Sequence, residues 1–172
     1  MIRVKKSTVA PKRLSTHGYS DDSVSEAIIN DQSGKCYLCE RKLGTDYEVE
    51  HLTSQKGDES LINEWDNLFV ACGYCNRKKS NSFDQICNPS MSNLEIEIVQ
   101  GIDFARGKAS FFPQCQTTAI SKTIELLSRI FNGRCKLRKL REKRFWDEFI
   151  RKMNNFQEAV NQFLEKQDNI DV

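Results

Sequence analysis

Residues 36–39 (CYLC) and 72–75 (CGYC) are the stretches of this sequence that decide the fold. In each, two residues separate a pair of cysteines, so that both sulfurs of one turn can face the same ion. Paired motifs of this kind, here 32 residues apart, are a strong signal for zinc in a reducing compartment. We therefore expect a closed structural Zn²⁺ site that stabilises the fold and performs no chemistry, held by Cys36, Cys39, Cys72 and Cys75.

Without zinc, these cysteines would have one of two roles. The four thiols could be ordinary buried side chains that meet by chance, or one pair could be a redox centre. A redox centre needs a single motif of this type at a helix start after a strand, not two such motifs. Zinc binding therefore remains the role that uses all four cysteines.

Composition places limits on the class of protein. The chain has 172 residues, of which 38% are hydrophobic and 29% charged. These proportions exclude a membrane protein and a wholly disordered chain. The apolar runs are too short to span a bilayer, and the charged N-terminal segment lacks the apolar region of a signal peptide. We expect a cytoplasmic protein with no membrane partner, in which the seven cysteines stay reduced.

Composition and periodicity predict an α+β protein in three parts. Residues 1–34 are expected to form an irregular arm and one short helix. Residues 35–115 are expected to form a zinc-stapled core of short strands and one short helix. Residues 116–172 are expected to form C-terminal amphipathic helices, because their apolar residues recur every three or four positions.

Individual elements follow from local signals within these parts. The helix of the arm is expected after a capping aspartate at position 21 or 22. In the core, strands are expected near residue 50, over 94–98 and over 109–112, and a helix is expected to begin at Cys72. In the C-terminal part, helices are expected over 118–131 and from Trp146 to Leu164.

Four polar residues lie between and beside the two cysteine pairs. Glu50 and His51 end a predicted strand, Asn67 follows after 15 intervening residues, and Asn76 comes directly behind Cys75. Because the cysteines tie this strand to the following helix, we expect a carboxylate, an imidazole and an amide oxygen to face one small space. This combination suits metal-assisted hydrolysis of a phosphodiester bond.

Each of these residues has an expected role. Hard divalent cations such as Mg²⁺ or Mn²⁺ prefer oxygen ligands, which Glu50 and the amide oxygen of Asn76 can supply. The imidazole of His51, with an ordinary pKa of about 6.5, suits a general base that takes a proton from the attacking water. Asn67 is expected to hydrogen-bond the backbone or the imidazole and to hold the loop between the strands.

Two basic runs are candidates for contacts with nucleic-acid phosphates. The first comprises Arg77, Lys78 and Lys79, and the second spans residues 134–144 and includes Arg138 and Arg141. Clustered positive charge of this kind can position a nucleic acid without reading its sequence. The alternative for either run is a solvated helix face.

Glu50-His51, Asn67 and residues 75–81 (CNRKKSN) together resemble the HNH endonucleases. That resemblance implies a ββα-metal core clamped by the Cys₄ zinc site, followed here by a C-terminal helical extension. It also implies a catalytic divalent ion and an endonuclease activity. Asn76 stands where the third residue of the family name is a histidine, and an amide can replace that imidazole as a metal ligand.

A closer resemblance is to the PtuB nucleases of Septu-type antiphage systems, some of which are encoded beside retrons. The core of this resemblance covers residues 35–90, and a looser one runs over residues 123–144. The matching stretches are residues 1–6 (MIRVKK), 36–40 (CYLCE), 49–51 (VEH), 63–68 (NEWDNL) and 83–89 (FDQICNP). The sequence departs from the pattern at Ser54, where a proline is common.

This resemblance implies partners and leaves the substrate open. It implies an antiphage effector held inactive by an ABC/SMC-type ATPase, PtuA, and in retron-linked systems a reverse transcriptase with its RNA–DNA product. DNA is the usual substrate of such sites, and host tRNA is the alternative in a retron-linked system. Two further functions remain open: a zinc-dependent nucleic-acid-binding module without catalysis, and an assembly subunit with a degenerate nuclease site.

Overall fold

The computed structural model describes residue 1, residues 3–133 and residues 138–168. The described residues form two two-stranded sheets and several helices, the last of them long, which confirms the predicted α+β class. The chain divides into two compact units, Met1–Ile130 and Phe131–Val172. The three-part division expected from the sequence stays a prediction. Arg134 and Lys136 of the second basic run lie outside the described residues.

Two helices precede the strands of the first unit, α1 (Lys12–His17) and α2 (Asp22–Asp31). Helix α2 confirms the helix predicted after Asp21, whose carboxylate accepts a hydrogen bond from the Ser23 amide at 3.0 Å. The prediction of a wholly irregular arm is wrong over residues 12–17. Pro11 precedes that helix, and Gly18 ends it with φ of 82°, a conformation that favours glycine.

The centre of the first unit is a strand–strand–helix arrangement. Strands β1 (Glu48–His51) and β2 (Leu68–Ala71) pair antiparallel, with Glu50 opposite Phe69. Helix α3 (Gly73–Lys79) follows β2 directly. The loop between the strands contains short 3-10 turns at Glu59–Leu61 and Trp65–Asn67, and a third lies at Ser80–Ser82 after α3.

The faces of β2 alternate between two surroundings. Leu68 and Val70 belong to a buried apolar cluster with residues from α1 and α2, namely Leu14, Val24 and Ile28. The intervening Phe69 contacts Tyr37, with ring centroids 5.1 Å apart. The pair of strands therefore has an apolar core on one face, and its other face is available to hold polar groups against α3.

A second hairpin, preceded by one helical turn, completes the sheet structure. Helix α4 (Leu94–Glu97) leads into β3 (Ile98–Asp103), which pairs antiparallel with β4 (Lys108–Pro113). The strand predicted over 109–112 is confirmed, but the strand predicted to begin at Leu94 is wrong. Leu94 and Ile98 are buried while Ile96 is exposed. Burial four residues apart is the spacing of a helical turn, although the alternating sequence resembles a strand.

Two helices form the C-terminal part of the chain, α5 (Thr118–Asn132) and α6 (Leu140–Asp168), and both confirm predicted helices. In the second unit, the ring of Phe131 contacts those of Phe145 and Phe149 at 5.3 and 5.1 Å between centroids. The Glu142 carboxylate accepts a hydrogen bond from the Lys139 amide at 2.9 Å, at the start of α6. Among the described helices, none has both the length and the apolar character needed to cross a membrane.

Candidate active site

The four cysteines of the paired motifs converge. Their sulfur atoms all lie within 4.8 Å of one another, and those of Cys39 and Cys72 are 4.0 Å apart. Tetrahedral zinc with Zn–S bonds of about 2.3 Å places its sulfurs roughly 3.8 Å apart. The cluster therefore fits the predicted zinc site, in which Cys36, Cys39, Cys72 and Cys75 would hold the ion.

This cluster joins the segments that position the other polar residues. Cys72 directly follows β2 and Cys75 lies in α3, whereas Cys36 and Cys39 lie in a turn closed by a hydrogen bond from the Glu40 amide to the Cys36 carbonyl at 2.8 Å. The buried side-chain amide of Gln32 extends the edge of β2, because it donates to the Val70 carbonyl and accepts from the Val70 amide, both at 2.9 Å.

A polar cavity of about 340 Å³ lies beside the end of β1 and the start of the following loop. Residues from β1, from the loop and from α3 line it, so the strand–strand–helix arrangement brings distant parts of the sequence together. The lining includes Glu50, His51, Gln55, Lys56, Asn76 and Lys79.

The imidazole of His51 is held by the loop. Its Nε2 lies 2.9 Å from the Ile62 carbonyl oxygen, and because a carbonyl can only accept, Nε2 carries the hydrogen. Nδ1 is then the unprotonated nitrogen, and the Gln55 side-chain nitrogen lies 3.1 Å from it and 2.9 Å from Nε2. The ring of Tyr19 packs edge-on against the imidazole at 4.8 Å.

The surroundings of His51 also set its charge. Partial burial lowers the pKa of the imidazole below its usual value, and the positive charge of Lys79 lowers it further, while the hydrogen bond to Ile62 opposes the shift. The neutral ring is therefore favoured at neutral pH. A neutral imidazole with a lone pair on Nδ1 is the form that a general base requires, and here the Gln55 side-chain nitrogen lies 3.1 Å from that atom.

Glu50 is buried and has two partners. Its Oε1 lies 2.5 Å from the Lys79 ammonium, and its Oε2 accepts a hydrogen bond from the Tyr37 hydroxyl at 2.5 Å. Burial raises the pKa of Glu50, and the charge of Lys79 and the two contacts oppose that shift. A charged carboxylate can remain here because a cation and a hydroxyl replace the lost water.

The placement of the Lys79 side chain contradicts the prediction that it contacts a phosphate. Its side chain is 1% exposed, and its ammonium donates to the His51 carbonyl at 2.8 Å in addition to its contact with Glu50. Helix α3 points the Lys79 side chain towards β1 and away from solvent. Its positive charge, predicted to contact a phosphate of the substrate, therefore neutralises the buried Glu50 carboxylate.

Asn67 and Asn76 occupy different places. The amide of Asn67 accepts from the Thr53 nitrogen at 2.8 Å and donates to the carbonyls of Thr53 and Leu61 at 3.0 and 3.3 Å, which ties the two ends of the loop together. Asn76 lines the cavity, and its side-chain nitrogen donates to Glu48. That bond leaves the amide oxygen of Asn76 as its atom with ligand chemistry.

The oxygen atoms of Glu50 and Asn76 could bind a hard divalent cation if the Lys79 ammonium moves away from Glu50. Glu50 and Asn76 present a carboxylate and an amide oxygen to the same polar cavity, and these are ligand types that Mg²⁺ and Mn²⁺ accept. The Lys79 ammonium already neutralises the Oε1 atom of Glu50. A divalent ion can therefore reach that oxygen only if the ammonium gives it up.

The remaining basic residues lie outside the cavity. The Arg77 side chain is exposed and lies 4.0 Å from Glu48, and the Lys78 ammonium lies over the ring of Tyr74 at 5.6 Å. In the second unit the Arg138 guanidinium stacks on Trp146 at 4.1 Å, whereas Arg141 is exposed. Phosphate contacts by these four residues stay predictions.

Sequence reasoning missed several side chains that shape the cavity. Lys56 lines it and forms an ion pair with Asp84 at 3.1 Å, yet it stands alone in a polar loop and belongs to neither basic run. Tyr19 and Tyr37 contact His51 and Glu50 but lie 32 and 13 residues before them. For Tyr37, the sequence does contain a signal: it lies between Cys36 and Cys39, so it could be predicted to lie near the site.

Comparison with known families agrees with this geometry. Residues 36–82 match the sequence model of the family described as HNH endonuclease. The matched segment contains all four clustered cysteines, β1, β2, α3 and the predicted catalytic residues, so the chain is similar to HNH endonucleases over this part of its length. A comparison of the chain with curated proteins finds no match.

Proposed function

We propose that this protein is a metal-dependent endonuclease that hydrolyses phosphodiester bonds of nucleic acid. One observation carries the proposal: the HNH domain brings the imidazole of His51, the carboxylate of Glu50 and the amide of Asn76 to one polar cavity. The tautomer set by Ile62 leaves Nδ1 of His51 ready to accept a proton.

The chain's own residues account for the proton transfers of such a reaction. His51 takes a proton from water at Nδ1 as the water oxygen bonds to phosphorus, and the Ile62 carbonyl holds the resulting imidazolium. The bond between phosphorus and the 3′ oxygen breaks, and that oxygen takes up a proton from solvent water, so the products carry a 5′-phosphate and a 3′-hydroxyl. A Mg²⁺ or Mn²⁺ ion, when held by Glu50 and Asn76, supplies positive charge for the leaving oxygen.

The test is a cleavage assay with zinc-loaded protein, in which labelled plasmid DNA and total tRNA are offered separately with Mg²⁺, Mn²⁺ or EDTA. Loss of a general base typically costs about 10²–10⁴-fold in rate, so His51→Ala should cut at no more than about a hundredth of the wild-type rate. His17→Ala is the matched control, because it removes the other histidine of the chain, which is exposed on α1. Equal cutting by wild type and His51→Ala would refute the mechanism.

We further propose a cytoplasmic effector of Septu-type antiphage defence, partnered by a PtuA-type ATPase and, in a retron-linked system, by a reverse transcriptase with its RNA–DNA product. Support comes from the residues shared with PtuB nucleases over positions 35–90. DNA is the proposed substrate, with host tRNA as the alternative. Co-expression with a Septu-type ATPase should yield a co-purifying complex with reduced cutting, and two separate, non-interacting proteins would contradict the partnership.

One observation favours a second function, a zinc-dependent nucleic-acid-binding or assembly module without catalysis. Both oxygens of Glu50 already have partners, Lys79 and Tyr37. Calorimetry with Mn²⁺ and zinc-loaded protein separates the two functions. Binding by the wild type that is lost in Glu50→Gln supports the nuclease, whereas no binding by either protein supports the module.

A further inference from the structure

The part of α6 beyond residue 150 exposes several large apolar side chains. Phe156 is 65% exposed, Phe163 60% and Leu164 51%. The side chains described over residues 151–166 are exposed or, at Val160, half-buried. A helix face of this kind in water is typical of a surface that another chain covers.

The apolar residues of α6 follow a heptad pattern. Their spacing alternates between three and four residues, which is the repeat of the core positions a and d in a left-handed coiled coil. We call these six residues the α6 seam: Trp146, Phe149, Met153, Phe156, Val160 and Phe163. Phe131 already contacts Phe149 within the second unit, so the unpaired part is the distal seam from Met153 to Phe163.

We propose that the distal seam pairs in parallel with the distal seam of a second copy of this chain, forming a two-helix coiled coil. This proposal is independent of the proposed nuclease function. It gives each exposed phenylalanine an identical partner at the same level and buries the four distal positions without requiring any change in the helix.

The residues that flank the seam favour a second copy over a different helix. In a parallel pair, Lys152 faces Gln157 of the partner subunit and Ala159 faces Leu164 of the partner subunit, so no like charges meet. The flanks also lack the acidic or basic pattern by which one helix selects a different partner. In an antiparallel pair in full register, Lys152 faces Lys166 of the partner subunit, which is repulsive.

The area available fits a reversible dimer. A fully buried aromatic side chain removes about 150–250 Å² from water, so the distal seam and Leu164 offer roughly 400 Å² per helix. Two copies remove roughly 800 Å², and the stems of the flanking lysines bring the total towards the ~1,000 Å² that a specific interface needs. Because this total lies at the low end for a specific interface, we expect a weak dimer whose population depends on protein concentration.

Sedimentation equilibrium of the zinc-loaded full chain tests this proposal at concentrations from about 1 to 300 µM. The wild type should change from monomer to dimer over that range. Phe156→Glu with Phe163→Glu should remain monomeric, and the control pair Asn155→Glu with Gln162→Glu, one position earlier on the outer face, should dimerise as the wild type does. Helix content measured by circular dichroism at the lowest concentration should be equal for all three proteins.

Two results would overturn the proposal. One is a wild type that stays monomeric throughout, which would leave the seam for a partner of different chemistry. The other is a dimer that the Phe156→Glu, Phe163→Glu variant retains. The direction is tested separately with Val160→Cys in a background that carries Cys115→Ser and Cys135→Ser. A parallel pair should give a disulfide-linked dimer on mild oxidation, and an antiparallel pair should not.

Discussion

Lys79 and Glu50 show how burial changes the meaning of a charged residue. In the sequence, Lys79 is the third member of a basic run and Glu50 is a metal ligand of a familiar motif. In the structure their side chains are 1% and 7% exposed and form an ion pair. Removing one member of a buried pair leaves the other charge without compensation, which is far more costly than losing a surface ion pair.

Lys79→Met should therefore destabilise the protein strongly. We expect the free energy of unfolding to fall by about 3–5 kcal/mol, because the Glu50 carboxylate would remain buried without its cation. The double variant Glu50→Gln, Lys79→Met should recover part of the loss. Urea unfolding of the zinc-loaded proteins at pH 7 measures both. If Lys79→Met loses less than about 1 kcal/mol, as expected for an exposed pair, the ammonium does not compensate Glu50 in solution.

The contribution of Lys6 to folding stability should depend on pH. Its ammonium donates to the carbonyls of Trp65 and Leu68 and lies 4.4 Å from the centres of the Trp65 and Phe69 rings. Burial lowers its pKa from 10.5 to about 8, although nearby acidic residues, led by Asp66, oppose the shift. Between these two pH values the unfolded chain holds a proton that the folded chain has released.

The Lys6 contribution to stability should therefore rise with pH between about 8 and 10.5 and be constant below that window. Urea unfolding of the wild type and of Lys6→Met, measured from pH 7 to pH 10.5, isolates this contribution as the difference between the two proteins. That difference should shift in favour of the wild type as pH rises. A difference that is flat across the window would show that the ammonium stays charged in the folded chain.

At the scale of elements, a zinc ion held by the thiol cluster would fix the start of α3 and the end of β2 to the turn that precedes β1. The two strands are four residues each and α3 has seven, so none of them is stable alone. Metal binding at such a site contributes directly to folding.

Zinc removal should therefore unfold the strand–strand–helix core formed by β1, β2 and α3. Cys39→Ser should reduce bound zinc and lower the thermal midpoint, and a chelator should do the same to the wild type. Cys115→Ser is the control, because that thiol is exposed and lies outside the cluster. Metal content measured by atomic absorption, alongside a thermal melt, checks the expectation. A Cys39→Ser protein with full zinc content and an unchanged midpoint would contradict it.

Elements whose signals are local were predictable from the sequence. The zinc cluster follows from two short spacings, and α5 and α6 follow from long helical periods. The prediction of a strand at Leu94 was wrong because, over so few residues, alternation of apolar and polar side chains is also compatible with a single helical turn. Contacts such as Tyr19 on His51 and Lys79 on Glu50 were not predictable, since they depend on how distant segments pack.

At the scale of the whole molecule, exposed positive charge in and beside the cavity should govern the affinity for nucleic acid. Arg77 is the exposed basic residue of α3, and Lys56 is the exposed one that lines the cavity. Each phosphate contact releases counterions, so binding should weaken steeply as salt rises.

Arg77→Ala and Lys56→Ala should each reduce the slope of log affinity against log salt by about 1, with little effect on sequence preference. Fluorescence anisotropy with a labelled duplex in EDTA, which prevents cutting, measures this slope. The control is Lys12→Ala, an exposed lysine on α1 outside the cavity lining. A wild-type affinity that does not change with salt would contradict a phosphate-binding surface.

The contact between Tyr19 and His51 bears on whether the proposed nuclease site can be transferred into another protein. The segment that matches the HNH endonuclease family spans residues 36–82, but Tyr19, Gln32 and Lys6 contact it from the preceding part of the chain. A transferred segment limited to residues 36–82 would contain every predicted reacting group, but the His51 imidazole would lack its contact with the Tyr19 ring. Transfer of the activity to another protein should therefore require residues 1–34 as well. A recombinant that carries residues 36–82 without them should be inactive.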